Sequence, residues 1–145
     1  MGNLVTYSIL FGSAFLAASL FPAQSELLLT SLIVSEKYSV LILLAVASAG
    51  NVVGSILNYY IGRYLMHFKN HKYFPIKENM LETSKKYFKK YDSKILLMAW
   101  MPVVGDPLTV VAGAFRTNIW MFILLVSIGK TFRYMIVIGT ALAII

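Results

Sequence analysis

The chain has 145 residues, of which 59% are hydrophobic, 13% are charged and none is cysteine. A soluble domain carries about a quarter charged residues, and a small body needs proportionately more polar surface than a large one. The composition therefore excludes an ordinary soluble enzyme and a disordered chain, and points to a membrane protein with no disulfide framework, thiolate metal site or cysteine nucleophile.

Residues 1–25 carry no charge. They lack the positive start and small-residue cleavage site of a signal peptide. The apolar run stops around Pro22-Ala23-Gln24-Ser25-Glu26 and resumes as Leu27–Val34. After Glu36 and Lys37, Tyr38–Gly62 supplies 25 residues without a charge, enough for a transmembrane helix; Tyr59 and Tyr60 suit its interface end. Within it Gly50, Gly54, Asn58 and Gly62 recur every four residues. Such a stripe of small residues lets helices approach closely, with Asn51 or Asn58 able to hydrogen-bond a neighbouring backbone. It serves either packing inside the chain or a homodimer.

Arg63–Lys94 holds nine basic and three acidic residues, most of the net charge of +7. Between two membrane spans, the positive-inside rule places this stretch in the cytoplasm, so its lysines require no nucleic acid. From Ile76 to Tyr91 the spacing predicts a helix. Met80, Leu81, Ser84, Tyr87, Phe88 and Tyr91 share one face, with Lys85, Lys86, Lys89 and Lys90 on the other. Glu82 and Lys86 are spaced as an ion pair. The helix is either a solvated, orienting face or a collector of anionic lipid headgroups. His67 and His71 have a metal-ligand spacing without a third ligand, so no metal is expected.

Ile95–Val104 would reach about 15 Å as a helix, half the bilayer core. The chain then breaks around Pro102-Val103-Val104-Gly105-Asp106-Pro107 and resumes as Leu108–Phe115. Ile119–Ile145 is long enough to span, but carries Lys130 and Arg133. The two halves correspond: Pro22 and Pro102 are 80 residues apart, as are Glu26 and Asp106, and Ser48-Ala49-Gly50 precedes Ser127-Ile128-Gly129 by 79. Paired, interrupted apolar segments in matching positions point to a transporter-type site. The predicted fold is an all-α integral membrane domain over residues 1–145. Two re-entrant helical hairpins, with tips near 22–26 and 102–107, and two spans form an inverted repeat. Its halves, 1–62 and 95–145, flank the cytoplasmic amphipathic segment 63–94.

Gly50-x3-Gly54-x4-Tyr59-x2-Gly62-Arg63 and Pro22-x3-Glu26 resemble the glycine-rich span and first re-entrant tip of the DedA superfamily of VTT-domain proteins. Trp100-Met101-Pro102-Val103-Val104-Gly105-Asp106-Pro107, Ala112-Gly113-Ala114-Phe115-Arg116 and Gly129-Lys130-x2-Arg133-Tyr134 are similar to its smaller YqaA branch. The resemblance implies a bacterial inner-membrane protein and, in the wider superfamily, proton-dependent transport or scrambling of lipids, including polyprenyl-phosphate carriers. Trp100 and Gly105 stand where that superfamily has arginines, and Ser55 where it has an acidic residue. Phosphate binding would therefore fall to Lys130, Arg133 or Arg116.

A charge at the bilayer centre costs about 2.5 to 3.5 kcal/mol on insertion scales, which singles out Glu26, Asp106, Lys130 and Arg133. Lys130 and Arg133 lie three apart, on one face of the last span. The four are either a structural ion-pair set fastening hairpins to spans or a proton-coupled site in which proton uptake on Glu26 or Asp106 frees the cations for a phosphate. Arg116 is read more simply as reaching a headgroup interface. No nucleophile–base constellation suggests an enzyme, and no cofactor is called for. The functions left open are a carrier or scramblase of a lipid or other amphiphile, as a homo-oligomer or alone, and a non-transporting factor acting through lipid or protein contacts.

Overall fold

The computed structural model describes residues 2–18, 22–64, 78–101 and 105–144. Regular structure among them is entirely helical: α1 (Gly2–Ala17), α2 (Pro22–Val34), α3 (Val40–Tyr64), α4 (Glu78–Tyr91), a 3-10 helix over Asp92–Trp100, α5 (Gly105–Ala114) and α6 (Ile119–Ile144). At 25 and 26 residues, α3 and α6 are about 38 and 39 Å long, more than the hydrocarbon core of a bilayer. The others fall short of it: 16 residues in α1, 13 in α2 and 10 in α5 give about 24, 20 and 15 Å.

The outside of the bundle is apolar. Leu41, Val53 and Leu57 on α3, Leu124, Ile128, Phe132 and Met135 on α6, and Leu4, Val5 and Ile9 on α1 are all exposed. An exterior of this kind suits lipid and not water. It accounts for the small charged share of the composition.

Each long helix takes one arm from its own half and one from the other. α1 packs on α3 and the 3-10 helix on α6, while α5 packs on α3 and α2 on α6. α3 and α6 also pack on each other. Two apolar clusters fill the interior. One gathers Tyr59, Phe88, Leu96, Val110, Phe122 and Val126; the other gathers Leu10, Leu29, Leu43, Tyr134 and Ile138.

The glycine stripe of α3 is divided between α1 and α5. A Cβ on Gly50 would stand 3.0 Å from the Ala14 Cβ and overlap the Phe11 carbonyl, and one on Gly54 would meet Ala18 and the Phe15 carbonyl, both on the α1 side. One turn beyond Asn58 the partner changes. A Cβ on Gly62 would overlap the Val110 carbonyl of α5, and reciprocally one on Gly113 would overlap the Tyr59 carbonyl. The stripe is thus occupied within the chain.

Helix boundaries sit differently from the predicted breaks. α2 begins at Pro22, where proline's fixed φ and missing N–H suit a first helical position, so Glu26 lies inside the helix. α5 begins at Gly105, placing Asp106 and Pro107 in its first turn; Pro102 lies outside the described residues. Gly105 is held close to the Ala99 carbonyl. Three helices end in a non-glycine residue of left-handed conformation: Glu36 (φ 57°), Asp92 (φ 58°) and Arg116 (φ 56°). At Arg116 the Thr117 N–H donates to the Ala112 carbonyl and the Arg116 N–H to the Gly113 carbonyl, each at 3.0 Å. This is the Schellman pattern that turns a chain out of a helix.

Of the segment predicted as a half-span helix, residues 102–104 lie outside the described residues, and 95–100 belong instead to a 3-10 helix of nine residues. Its higher rise carries it about 18 Å. Leu96 and Ala99 are its buried residues, three apart as three residues per turn requires. They lie against Gly129 of α6, whose own Cβ position is 3.0 Å from the Leu97 carbonyl and 3.5 Å from the Ala99 Cβ.

α4 buries Leu81, Ser84 and Phe88, with Phe88 stacked 5.1 Å from Phe115. Tyr87 and Tyr91, predicted on the same face, are exposed. The 100° step of a helix leaves them at the edge of the contact with α5. Glu82 pairs with Lys85 at 3.4 Å.

Candidate functional site

The apolar interior is interrupted by a polar belt centred on one turn of α6. Lys130 is only 2% exposed, and its Nζ donates to Asp106 Oδ1 at 2.6 Å. Arg133 pairs with the carboxylate of Glu26, with side-chain exposures of 15% and 27%. The cations are three residues apart, about 4.5 Å along the axis. A single turn of α6 therefore holds two carboxylates, Glu26 of α2 and Asp106 of α5. The sequence assembles this because an ammonium and a guanidinium cannot stand unpaired in an apolar interior, and α2 and α5 each bring one acid within reach. The first-turn position of Asp106 in α5 also suits a negative charge.

Around this clasp the polar groups are tied together. The Ser25 and Tyr134 hydroxyls are 2.9 Å apart, so the residue before Glu26 meets the residue after Arg133. Asn51 Nδ2 donates to the Tyr134 hydroxyl at 3.2 Å and to the Ala14 carbonyl at 3.1 Å. Asn58 Nδ2 donates to the Ala18 carbonyl at 2.8 Å and to Thr109 Oγ1 at 3.2 Å. Thr109 Oγ1 in turn donates to the Asp106 carbonyl at 2.6 Å. The two asparagines of α3 accordingly bind carbonyls at the end of α1, where a helix has no intrahelical partners left. Among the described residues, Asn51 Oδ1, Ser48 Oγ and Ser13 Oγ are buried without a hydrogen-bond partner.

The sequence-predicted candidates separate into three groups. Glu26, Asp106, Lys130 and Arg133 come together in the clasp. Gly50, Asn51, Gly54, Asn58 and Gly62 form the face of α3 that receives α1 and α5. Arg116 is exposed in the turn between α5 and α6, outside the clasp. Pro107 is buried within α5. His67 and His71 lie outside the described residues, among which no group of three His, Asp or Glu side chains could hold a metal. Ser25, Thr109 and the hydroxyl of Tyr134 were missed as site residues; the signal available was adjacency, since Ser25 precedes Glu26 and Tyr134 follows Arg133.

With two cations matched by two carboxylates, the clasp has no net charge to offer an anion as it stands. What it can do is exchange. Loss of either negative charge would leave a cation unpaired and remove one tie between α6 and α2 or α5.

Residues 5–141 match the VTT domain. The chain is 32% identical over 139 residues to the inner membrane protein YqaA of Escherichia coli strain K12, covering 94% of this chain and 92% of that protein. The YqaA of Shigella flexneri matches to the same extent, and an uncharacterized protein of Haemophilus influenzae is 33% identical over 132 residues, 86% of this chain and 80% of its own.

The chain belongs to the VTT-domain family, in its YqaA branch.

No solved structure matches it. Membership joins the apolar exterior and the two span-length helices in placing this VTT domain among bacterial inner-membrane proteins. The match covers Glu26, Asp106, Lys130 and Arg133, so the clasp lies wholly within the family domain.

Proposed function

We propose that this VTT domain is a transporter-like protein, a proton-coupled carrier or scramblase of a lipid or related amphiphile, a lipid phosphate among them, and not an enzyme. Proton uptake on Glu26 or Asp106 releases Arg133 or Lys130 to hold the anionic group while the freed hairpin moves. The observation that carries this reading is the shared turn of α6, where Lys130 and Arg133 hold Asp106 and Glu26 from opposite hairpins. Ionisable residues at such depth are expensive and mark pathways and relays by default.

In the same reading α1–α2 and the 3-10 helix with α5 are re-entrant hairpins, and the halves are an inverted repeat. Support comes from the short arms, from the crosswise packing of α5 on α3 and α2 on α6, and from the left-handed turns at Glu36 and Arg116, which keep the 80-residue offset of Pro22 to Pro102. Non-helical backbone is tolerated at membrane depth where protein buries it. The basic end, with α4 and Arg116, faces the cytoplasm, and α4 lies on the anionic headgroups.

The second reading, a non-transporting membrane factor acting through lipid or protein contacts, is favoured by one observation: both cations are already neutralised in pairs. Reconstitution separates the two. Purified protein in liposomes should move a fluorescent phospholipid or a polyprenyl phosphate between leaflets faster at low pH, and Glu26→Gln with Asp106→Asn should remove that pH dependence. Movement no faster than in protein-free liposomes at every pH supports the second reading and ends the first.

A further inference from the structure

Between α4 and the 3-10 helix lies an open cleft of about 520 Å³ lined by Tyr87, Tyr91, Lys94, Leu97, Met98 and Met101, with Ile95 behind. Its walls are almost wholly apolar, and Tyr87, Tyr91, Leu97 and Met98 are exposed. One charge, Lys94, sits in the lining. A second cation lies on a lining residue, with Lys90 Nζ 5.2 Å over the Tyr91 ring. The cleft is separate from the clasp: the residues lining it include none of Glu26, Asp106, Lys130 and Arg133.

We infer that this cleft is a binding site for one anionic phospholipid, its phosphate on Lys94 and Lys90 and an acyl chain between the two tyrosines and the exposed side of the 3-10 helix. Two features of the structure select that occupant. The first is charge complementarity: Lys94 in the lining, Lys90 over the ring of Tyr91, and no acid among the residues that line the greasy slot. The second is geometry. Nine residues of 3-10 helix bury only Leu96 and Ala99 against α6, which turns Leu97 and Met98 outward beside an aromatic helix that ends in Tyr91. Tyrosine presents an apolar ring and a polar tip, as suits the headgroup boundary. Methionine adapts its shape to flexible chains. The volume lies in the range of ligand clefts, about 300–1,000 Å³. A second copy of this chain would bring a like basic rim against this one and is disfavoured by repulsion.

The inference rests on the membrane placement of α4 proposed above and is independent of proton coupling. The full chain, reconstituted in vesicles of phosphatidylcholine, is tested with photoreactive phosphatidylglycerol and photoreactive phosphatidylcholine carrying the reactive group on an acyl chain, followed by mapping of labelled peptides. Labelling by the anionic lipid should concentrate on Tyr87, Tyr91, Leu97, Met98 and Met101, saturate at one lipid per chain and exceed that by phosphatidylcholine. Each lysine near an anionic group contributes about fivefold in binding. Lys90→Ala with Lys94→Ala should thus cut the preference by about thirtyfold, while Lys85→Ala with Lys86→Ala leaves the labelled positions unchanged. Met98→Trp, which fills the slot without touching charge, should suppress labelling by both lipids. Labelling spread evenly over α4, or equal loss in the two lysine pairs, overturns the site while leaving α4 on the membrane. Labelling of α3 and α6 but none of α4 overturns the placement itself. Crosslinks from the cleft to a second copy in place of lipid also overturn the site.

Discussion

Asp106→Asn keeps the shape of the side chain and removes its charge, leaving Lys130 buried at 2% exposure without a counter-ion. Breaking a buried pair from one side costs about 3–5 kcal/mol, because the remaining charge is uncompensated. Lys130→Met is gentler. It leaves Asp106, which is 16% exposed and sits in the first turn of α5, where the helix end favours a carboxylate by about 0.3–1 kcal/mol. This substitution should cost about 2 kcal/mol less than Asp106→Asn. The double variant removes both charges and leaves no uncompensated ion, so most of the two single losses should be recovered. It should therefore be more stable than Asp106→Asn alone, with a coupling of about 3 kcal/mol or more. Equilibrium unfolding in mixed micelles titrated with dodecyl sulfate measures all three, followed by tryptophan fluorescence; Trp100 is well placed as a reporter, 5.8 Å from Phe132 of α6. Single-variant losses that add to the double within about 0.5 kcal/mol would refute the buried clasp.

Other substitutions test the packing and the turns. Gly62→Ala and Gly113→Ala each place a Cβ into a facing carbonyl and should destabilise by about 1–3 kcal/mol, whereas Gly139→Ala, with open space around it, should stabilise by about 0.5–1 kcal/mol; equal effects in the same unfolding titration contradict the α3–α5 contact. Tyr134→Phe removes the contacts to Ser25 and Asn51 and should cost about 1 kcal/mol, and a neutral result would mean the belt is not closed there. Arg116→Gly relieves the left-handed strain at φ 56°, so the thermal midpoint should rise by the equivalent of about 1 kcal/mol with lipid movement unchanged. Slower lipid movement in that variant would instead give Arg116 a part in anion handling.

How much of this was legible beforehand depended on which physical term set each feature. Insertion cost is a property of single residues, so Glu26, Asp106, Lys130 and Arg133 stood out without coordinates. Their pairing did not. Two cations three apart on one helix face are equally available to two acids, and only the packing of α2 and α5 on α6 assigns Asp106 to Lys130 and Glu26 to Arg133. The glycine stripe told of close approach, and the structure divides it between α1 and α5. The 3-10 helix was illegible because Asp92–Trp100 has no composition that distinguishes 3.0 from 3.6 residues per turn; packing on Gly129 stabilises the tighter form. Tyr87 and Tyr91 were read as one face with Phe88, since periodicity marks a stripe and does not say how wide the contact with α5 is. The breaks were placed at proline, although a proline that opens a helix lies inside it, as Pro22 does.

The chain is free of cysteine, so spin labels can be placed without background at Leu27 of α2 and Ile136 of α6, both exposed. The α2–α6 distance distribution in liposomes, measured by pulsed electron resonance across a pH series, bears most directly on whether the clasp opens. The distribution should be narrow at neutral pH and acquire a second, longer component as the pH falls, and Glu26→Gln with Asp106→Asn should show that component at every pH. A single narrow distribution at all pH values, unchanged by the double substitution, would contradict an opening clasp and leave the four charges as a fixed structural fastening.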